Sequence, residues 1–468
     1  MYVNLYHSAP PGFVHGLMQE ILLLSFQSLV NVVKRCFKYS VSGLALSAFI
    51  LLPFHLFSQT ETDENPRNES LTLDEDIRAA QLHLAGAPLT LPIVEVKTGH
   101  NTLVLEFDHL GDELKDYVYT IVHCNSDWKP SDLADHEYID GFTEDRILDV
   151  ETSLNTLAQY THYTLGLPNQ NMRWSRSGNY LLKVFDNDDE RRLVLVRRFL
   201  VVEPLWRVDA KFVSPVAVSK INTHHEIDFT VVHRGIRIPN PQNDVKAFVL
   251  QNGRWDNAIG PVKPYITREE SLVFDYQDKI VFPAGKEWRY FDMRTFENLG
   301  DRIKNIVEKV DFYEVTLLTD QSRAGSNIGY RGDLNGRFSI ENQNFNQTLY
   351  QCDYAKVLLS VSQKAPLEGE DVYVFGELTD WQLKPEWKME YSPEAKVYYV
   401  ESPMLKQGFY NYEYHVVNRE TGETDPDGLE GNWYETSNQY TILVYYRTFG
   451  DRYDRLLAAV TVDSRDRQ

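Results

Sequence analysis

Three cysteines in 468 residues are too few to staple a fold. Cys36 lies in an N-terminal apolar segment, and Cys124 and Cys352 fall in regions assigned below to different domains, so no disulfide framework is expected. No Cys/His spacing suits a metal, and neither a glycine-rich phosphate loop nor a dinucleotide fingerprint occurs, so no cofactor is implied. Basic charge is scarce too. With 47 Lys and Arg against 68 Asp and Glu, the formal net charge is −21, an acidic solubility bias that argues against nucleic acid and anionic lipid as partners. Long helical periods are missing, and the one helix-like stretch, residues 297–309, is short and mixed.

What is present begins with compartment. Lys34, Arg35 and Lys38 precede an apolar run over residues 41–57 that ends at Phe57-Ser58-Gln59, the layout of an export signal cleaved near Ser58. A retained anchor is the alternative, but the run is short for a span and contains Pro53 and His55. The mature chain is therefore expected to be soluble outside the inner membrane. The residues before Lys34, including apolar 21–33, fit an over-called start codon or a second hydrophobic segment.

The rest reads as all-β: tandem immunoglobulin- or fibronectin-like β-sandwiches, the last one E-set-like. At 13% aromatic, the chain has enough Tyr, Phe and Trp for several cores. Residues 1–58 form the extension and signal, and 59–88 an acidic tether poor in apolar residues. Short runs rich in Val, Leu, Ile, Tyr and Phe, separated by turn clusters, then fill a first sandwich over 89–204, closed by Val202-Glu203-Pro204. A second β-rich domain covers 205–347, with Asn252-Gly253 and Asn335-Gly336 as tight turns that accept positive φ. The third, 348–449, contains the alternating run Phe409-Tyr-Asn-Tyr-Glu-Tyr-His-Val416, and 450–468 is a charged, frayed tail.

Two resemblances follow from particular phrases. YTIVHCNSDWKPSDLADHEYIDGF, TLAQYTHYTLGLPNQNMRWSRSGNYLLKVF and RRFLVVEP resemble the plug proteins associated with the type IX secretion system of Bacteroidota, and the likeness runs on to about Tyr446. That resemblance implies a non-enzymatic β-protein that closes the periplasmic mouth of a very large outer-membrane β-barrel translocon, its expected partner. Separately, residues 372–380 with Trp381, Met389, Tyr399 and 408–414 are similar to E-set glycogen-binding modules. There Trp381 takes the place of a sugar-stacking tryptophan and Asn438 matches a polar contact. Glu413 replaces a lysine of the pattern, and no second tryptophan occurs near 419–421. A glycan-binding role is the alternative function.

Candidate chemistry is thin. Asp127, Asp132, Asp135, Glu137 and Asp140 cluster with His123 and His136, where an acid/base or metal site is conceivable, although solvated acidic loops are common in so negative a chain. Adjacent His224 and His225 point to opposite strand faces, Cys124 lacks a nucleophile motif, and Arg331-Gly332-Asp333 is a tripeptide of chance frequency. Neither a catalytic residue nor a small-molecule substrate is expected. Trp128, Trp174, Trp381 and Trp433, in apparent loops, are the candidate partner-binding residues, the alternative being that each ring folds back onto a core.

Overall fold

The structure, a computed structural model, describes residues 69–468 except 189–190, 327–330, 345–348, 426 and 467–468. The N-terminal extension, the export signal with Cys36, and residues 59–68 of the expected tether lie outside the described residues. The compact unit Asn65–Gln468 carries all the cores described here. Its residues are almost entirely β and form three sandwiches.

In the N-terminal sandwich one sheet runs Leu71–Thr72, Arg192–Val202, Gly178–Asp186, Tyr117–Cys124, Asp145–Arg146, with Ile93–Glu95 parallel to Arg192–Val202. The other runs Ile77–Leu84, Leu103–Leu110, Tyr160–Leu167, Asp149–Thr152. Phe107, Tyr117, Tyr163, Tyr180 and Phe199 fill the space between them. The expected tether has therefore ended by Leu71. Its acidic composition conceals a strand in which Leu82 and Leu84 pack on the core while Gln81 reaches the other way, to the Phe338 carbonyl at 3.0 Å.

Arg192–Val202 explains its own near-continuous hydrophobicity, because both faces are buried. Val194, Phe199 and Val201 enter the sandwich core, whereas Val196, Leu200 and Val202 meet Phe248, Leu250, Leu443, Tyr445 and Leu456 of the middle sandwich in a separate cluster.

The middle sandwich is discontinuous in sequence. One sheet runs Arg207–Val213, His224–Val232, Ser271–Phe274, Ile266–Thr267, with Val281–Pro283 also on His224–Val232. The other runs Ile259–Val262, Val245–Gln251, Gln439–Tyr446, Arg455–Asp463. Its core joins Val231 and Phe274 to Tyr440, Ile442, Val444 and Leu457. The expected break near residue 347 is thus replaced by an insertion, and the expected frayed tail supplies the edge strand Arg455–Asp463. Leu456, Leu457 and Ala458 are buried there, which is why the tail pairs despite its flanking charges.

The inserted sandwich starts well before residue 348. Arg289–Asp292, Gly408–Asn418 and Phe338–Ile340 form one sheet, joined by Glu370–Phe375 and Thr424–Asp425 on Gly408–Asn418. Ile303–Glu308, Tyr313–Leu317, Tyr354–Ser362, Val397–Glu401 and Glu390–Ser392 form the other. The helix-like stretch at 297–309 thus contains a strand, its pattern overridden by pairing with Tyr313–Leu317. The two connections to the middle sandwich are bonded to each other. Gly285 N donates to Asn432 Oδ1 at 2.7 Å, Trp433 N to the Gly285 carbonyl at 2.9 Å, and Ser437 N to Glu287 Oε1 at 2.9 Å.

Buried charge ties the N-terminal sandwich to the inserted one. Asp108, fully buried, receives Lys406 Nζ at 2.5 Å and the Tyr354 hydroxyl at 2.5 Å on one oxygen, with His162 Nδ1 2.6 Å from the other. Burial pushes its carboxyl up, but Lys406 and His162 outweigh that and hold it below the usual carboxylate range. Arg197 meets Asp380 at 3.0 Å across the same boundary. The middle sandwich is tied by Asp454, whose Oδ2 accepts Ser126 Oγ at 2.7 Å and Ser126 N at 3.0 Å.

Removing one partner of a buried pair strands the other, so Lys406→Met is expected to cost about 3–5 kcal/mol in denaturant unfolding, and adding Asp108→Asn to recover part of that. Because the folded pKa of Asp108 lies below its unfolded value, the contribution is present above that unfolded value and lost as pH falls through the folded one. Acid unfolding of Asp108→Asn should show a weaker pH dependence below about pH 4.

Candidate functional site

The Asn252-Gly253 turn, expected as a simple hairpin turn, is the point where the three sandwiches meet. Both residues have positive φ, 55° and 75°, and Arg254 N closes the turn on the Gln251 carbonyl at 3.1 Å. Asn252 is spent locally: its Nδ2 donates to Asn438 Oδ1 at 2.8 Å and its Oδ1 accepts Gln439 N at 2.9 Å. Arg337 of the inserted sandwich donates to the carbonyls of Leu89 and Asn252. A Cβ on Gly253 would fall 2.3 Å from Leu91 Cδ2 and 2.8 Å from Arg337 Nη2.

The next two residues face opposite neighbours. Trp255 meets Trp128 edge-on at 4.9 Å, and the Arg198 guanidinium lies over both indoles at 4.3 Å and 5.7 Å. Arg254 lies over Phe375 at 4.7 Å and Trp381 at 5.5 Å, paired to Asp256 at 2.6 Å. Trp381 packs edge-on against Trp288 at 5.8 Å, and both indoles rest on Gly336, where a Cβ would meet each at 2.7 Å. Two clefts open along this seam, of about 320 Å³ beside Trp128 and Trp255 and about 450 Å³ beside Trp288 and His415. Trp381 lines both.

Of the four expected anchors, two are unavailable. Trp174 is 1% exposed, in a strand paired with Ile139–Gly141, and its Nε1 donates to the Glu95 carbonyl at 3.3 Å. Trp128 is 5% exposed beneath Arg198. Trp128 lies in a turn and turns inward to fill the junction with the middle sandwich, whereas Trp174 ends a strand and fills the N-terminal core. Trp381 and Trp433 are half-buried and keep part of the indole at the surface.

The acidic loop does not converge. Asp127 accepts Lys129 N within its own turn, the Tyr138 hydroxyl donates to Asp135 at 2.6 Å, and Glu137 pairs with Arg452. His123 is buried, with Nδ1 2.8 Å from Ser131 Oγ and Nε2 3.1 Å from the Ser177 carbonyl, and burial pulls it down to about 4. Among the described residues no group of three His, Cys, Asp or Glu is placed to hold a metal. Cys124 and Cys352 are buried thiols pushed up to about 12 by burial. In the Arg-Gly-Asp tripeptide, Arg331 stacks on Tyr290 at 4.2 Å and Asp333 accepts Trp288 N at 2.5 Å, so both charged residues serve the fold.

Sequence reasoning missed Arg198, Arg254, Trp255, Trp288 and Arg337, the residues that build the seam. The Gly-Arg-Trp that follows Asn252 was the available signal: an arginine and an indole beside a tight turn, with no strand to bury them.

Gly253→Val is expected to lower the melting temperature strongly, since it combines positive φ with a clash against the Leu91 and Arg337 side chains. Gly86→Ala has a similar φ of 72° and open space, and should cost only the conformational term, about 1–2 kcal/mol. His123→Asn should flatten the stability–pH curve between about 6.5 and 4. A histidine whose folded pKa is depressed contributes stability above its unfolded value that disappears as pH falls toward the folded one.

Residues 77–203 match the family model described as type 9 secretion system plug protein 1st domain. No curated protein matches the chain. Among solved structures, the crystal structure of a hypothetical protein from Parabacteroides merdae superposes with a TM-score of 0.80 at 34% identity, covering 84% of this chain and 99% of that one. With the family's first domain matched over the N-terminal sandwich and that relative extending the likeness across the two that follow, the chain belongs to the type 9 secretion system plug protein family.

Proposed function

We propose that the chain is a periplasmic plug: a non-enzymatic body that docks on the periplasmic end of a large outer-membrane β-barrel translocon and obstructs it by bulk. The observation that carries this reading is the plug-family match over residues 77–203, in a chain whose candidate acids Asp135 and Glu137 are engaged by Tyr138 and Arg452. An obstruction must resist deformation, and buried polar ties among the three sandwiches, Asp108 with Lys406 and Asp454 with Ser126, suit that demand. Contacts would be few and reversible, anchored by an aromatic side chain with arginine nearby. Of the half-exposed indoles, Trp381 is the anchor this reading needs, because it stands at the rim of both clefts.

The glycan-binding alternative has less support. Asn438, its polar contact, is 3% exposed and spends its amide on the Ala284 carbonyl at 2.8 Å and its oxygen on Asn252. Edge contacts with Trp288 and Phe375 occupy part of the Trp381 ring.

Tagged chain recovered from detergent-solubilised outer membranes should bring down one very large β-barrel. Trp381→Ala should weaken that capture at least tenfold, about 1.4 kcal/mol, with the melting curve read alongside to separate contact from fold. Recovery of no barrel, together with α-glucan binding that Trp381→Ala abolishes, would reject the plug in favour of the sugar binder.

A further inference from the structure

Most large apolar side chains exposed on this protein stand among charges. Val310 lies between Lys309 and Asp311, and Phe449 close to Arg447, Asp451 and Arg452. The loop joining Arg207–Val213 to His224–Val232 is different. Within six residues it exposes Val216, Val218 and Ile221, at 57%, 83% and 40%, and its one charge, Lys220, turns aside toward Asp278 at 3.9 Å. The tip is held in shape: Lys220 N donates to the Ala217 carbonyl at 2.8 Å, Thr223 N to the Lys220 carbonyl at 3.1 Å, and Pro215 is buried beneath.

Beside it stands an aromatic pair. Tyr434 N donates to the Asn222 carbonyl at 3.1 Å, which fixes Trp433 and Tyr434 next to the loop, their rings edge-on at 5.1 Å. Both are half-buried, and their polar tips converge on Glu435: Trp433 Nε1 donates at 3.2 Å and the Tyr434 hydroxyl at 3.1 Å. An aliphatic tip flanked by an indole and a phenol, each with an apolar body and a polar end, is the composition that settles at the boundary between lipid headgroups and acyl chains. Aliphatic side chains this exposed at a loop tip can enter a lipid surface without needing a matching groove.

We propose that this end of the middle sandwich is a peripheral membrane contact, in which Val216, Val218 and Ile221 enter the headgroup boundary of a zwitterionic phospholipid surface with Trp433 and Tyr434 at its level. A zwitterionic surface is the one the charge allows, because a net charge of −21 is repelled by an anionic one. The inference adds a second contact to the plug reading and rests on its membrane-side location. The two fail separately, since lipid binding is read with vesicles alone and plugging with the barrel.

The test uses the compact unit 65–468, which contains all three cores and excludes the apolar run at 41–57. Flotation with phosphatidylcholine vesicles should carry the protein upward and shift its tryptophan emission to shorter wavelength, with little effect of salt. Val216→Asp/Val218→Asp should lower the floated fraction at least tenfold with an unchanged melting curve, both side chains being exposed. Trp433→Phe should remove most of the emission shift. Failure of the parent to float, equal flotation of the double variant, or binding confined to anionic vesicles and abolished by salt would overturn the proposal. So would a protein partner lost on Val216→Asp/Val218→Asp while vesicles bind neither form, which would reassign the loop to a protein contact.

Discussion

The Asp108 carboxylate, sealed between two sandwiches with Lys406, His162 and Tyr354 on its oxygens, sets the terms for the assembly. A buried ion pair of this kind adds little net stability compared with apolar packing, but it is severe on any arrangement that separates the partners. Lys406 also lies over the Tyr160 ring at 4.6 Å, and the Tyr160 hydroxyl donates to the Cys352 carbonyl at 2.7 Å. Asp353 next to it accepts the Leu157 and Ala158 amides. The boundary is therefore a connected polar layer, and sliding one sandwich against the other would break several bonds together.

The same logic recurs inside the inserted sandwich. Asp320 receives Arg289 at 3.0 Å, Arg302 at 2.8 Å and the hydroxyls of Tyr412 and Tyr414 at 2.6 and 2.8 Å, while Glu430 takes Arg289 at 2.8 Å and Arg323. Arg289 and Glu430 sit where the chain enters and leaves the insertion. Charge is used for registration at the boundaries, and aromatic packing for cohesion within each core.

This division decides what could be read in advance. Strands such as Tyr117–Cys124 and Gly408–Asn418 were legible because their apolar residues repeat with the pleat. Ile303–Glu308 was not, because four of its six residues are exposed and only pairing with Tyr313–Leu317 makes it a strand. The insertion was hidden because nothing local in Gln439–Tyr446 says that its partner is Val245–Gln251 rather than a nearer strand. The seam was hidden for a related reason: Arg198 and Trp255 look like surface residues until a second domain covers them. Trp128 was misread in the same direction, since a loop position predicts exposure only when no neighbour closes over it, and Trp174 because it ends a short strand rather than lying in a loop.

Insertion has a mechanical consequence that tandem arrangement lacks. A domain on one linker can swivel about it; a domain entered and left through two connections is held by both, and here the two bond to each other through Gly285, Asn432, Trp433, Glu287 and Ser437. Glu287, buried in this crossing beside Asp333, is pushed up to about 8, chiefly by burial. An acid with a raised folded pKa lends stability at low pH and loses it as pH rises through that value, which is the opposite sign from Asp108. Rising pH thus loosens the insertion crossing and falling pH the N-terminal boundary, so the two ties respond in opposite directions.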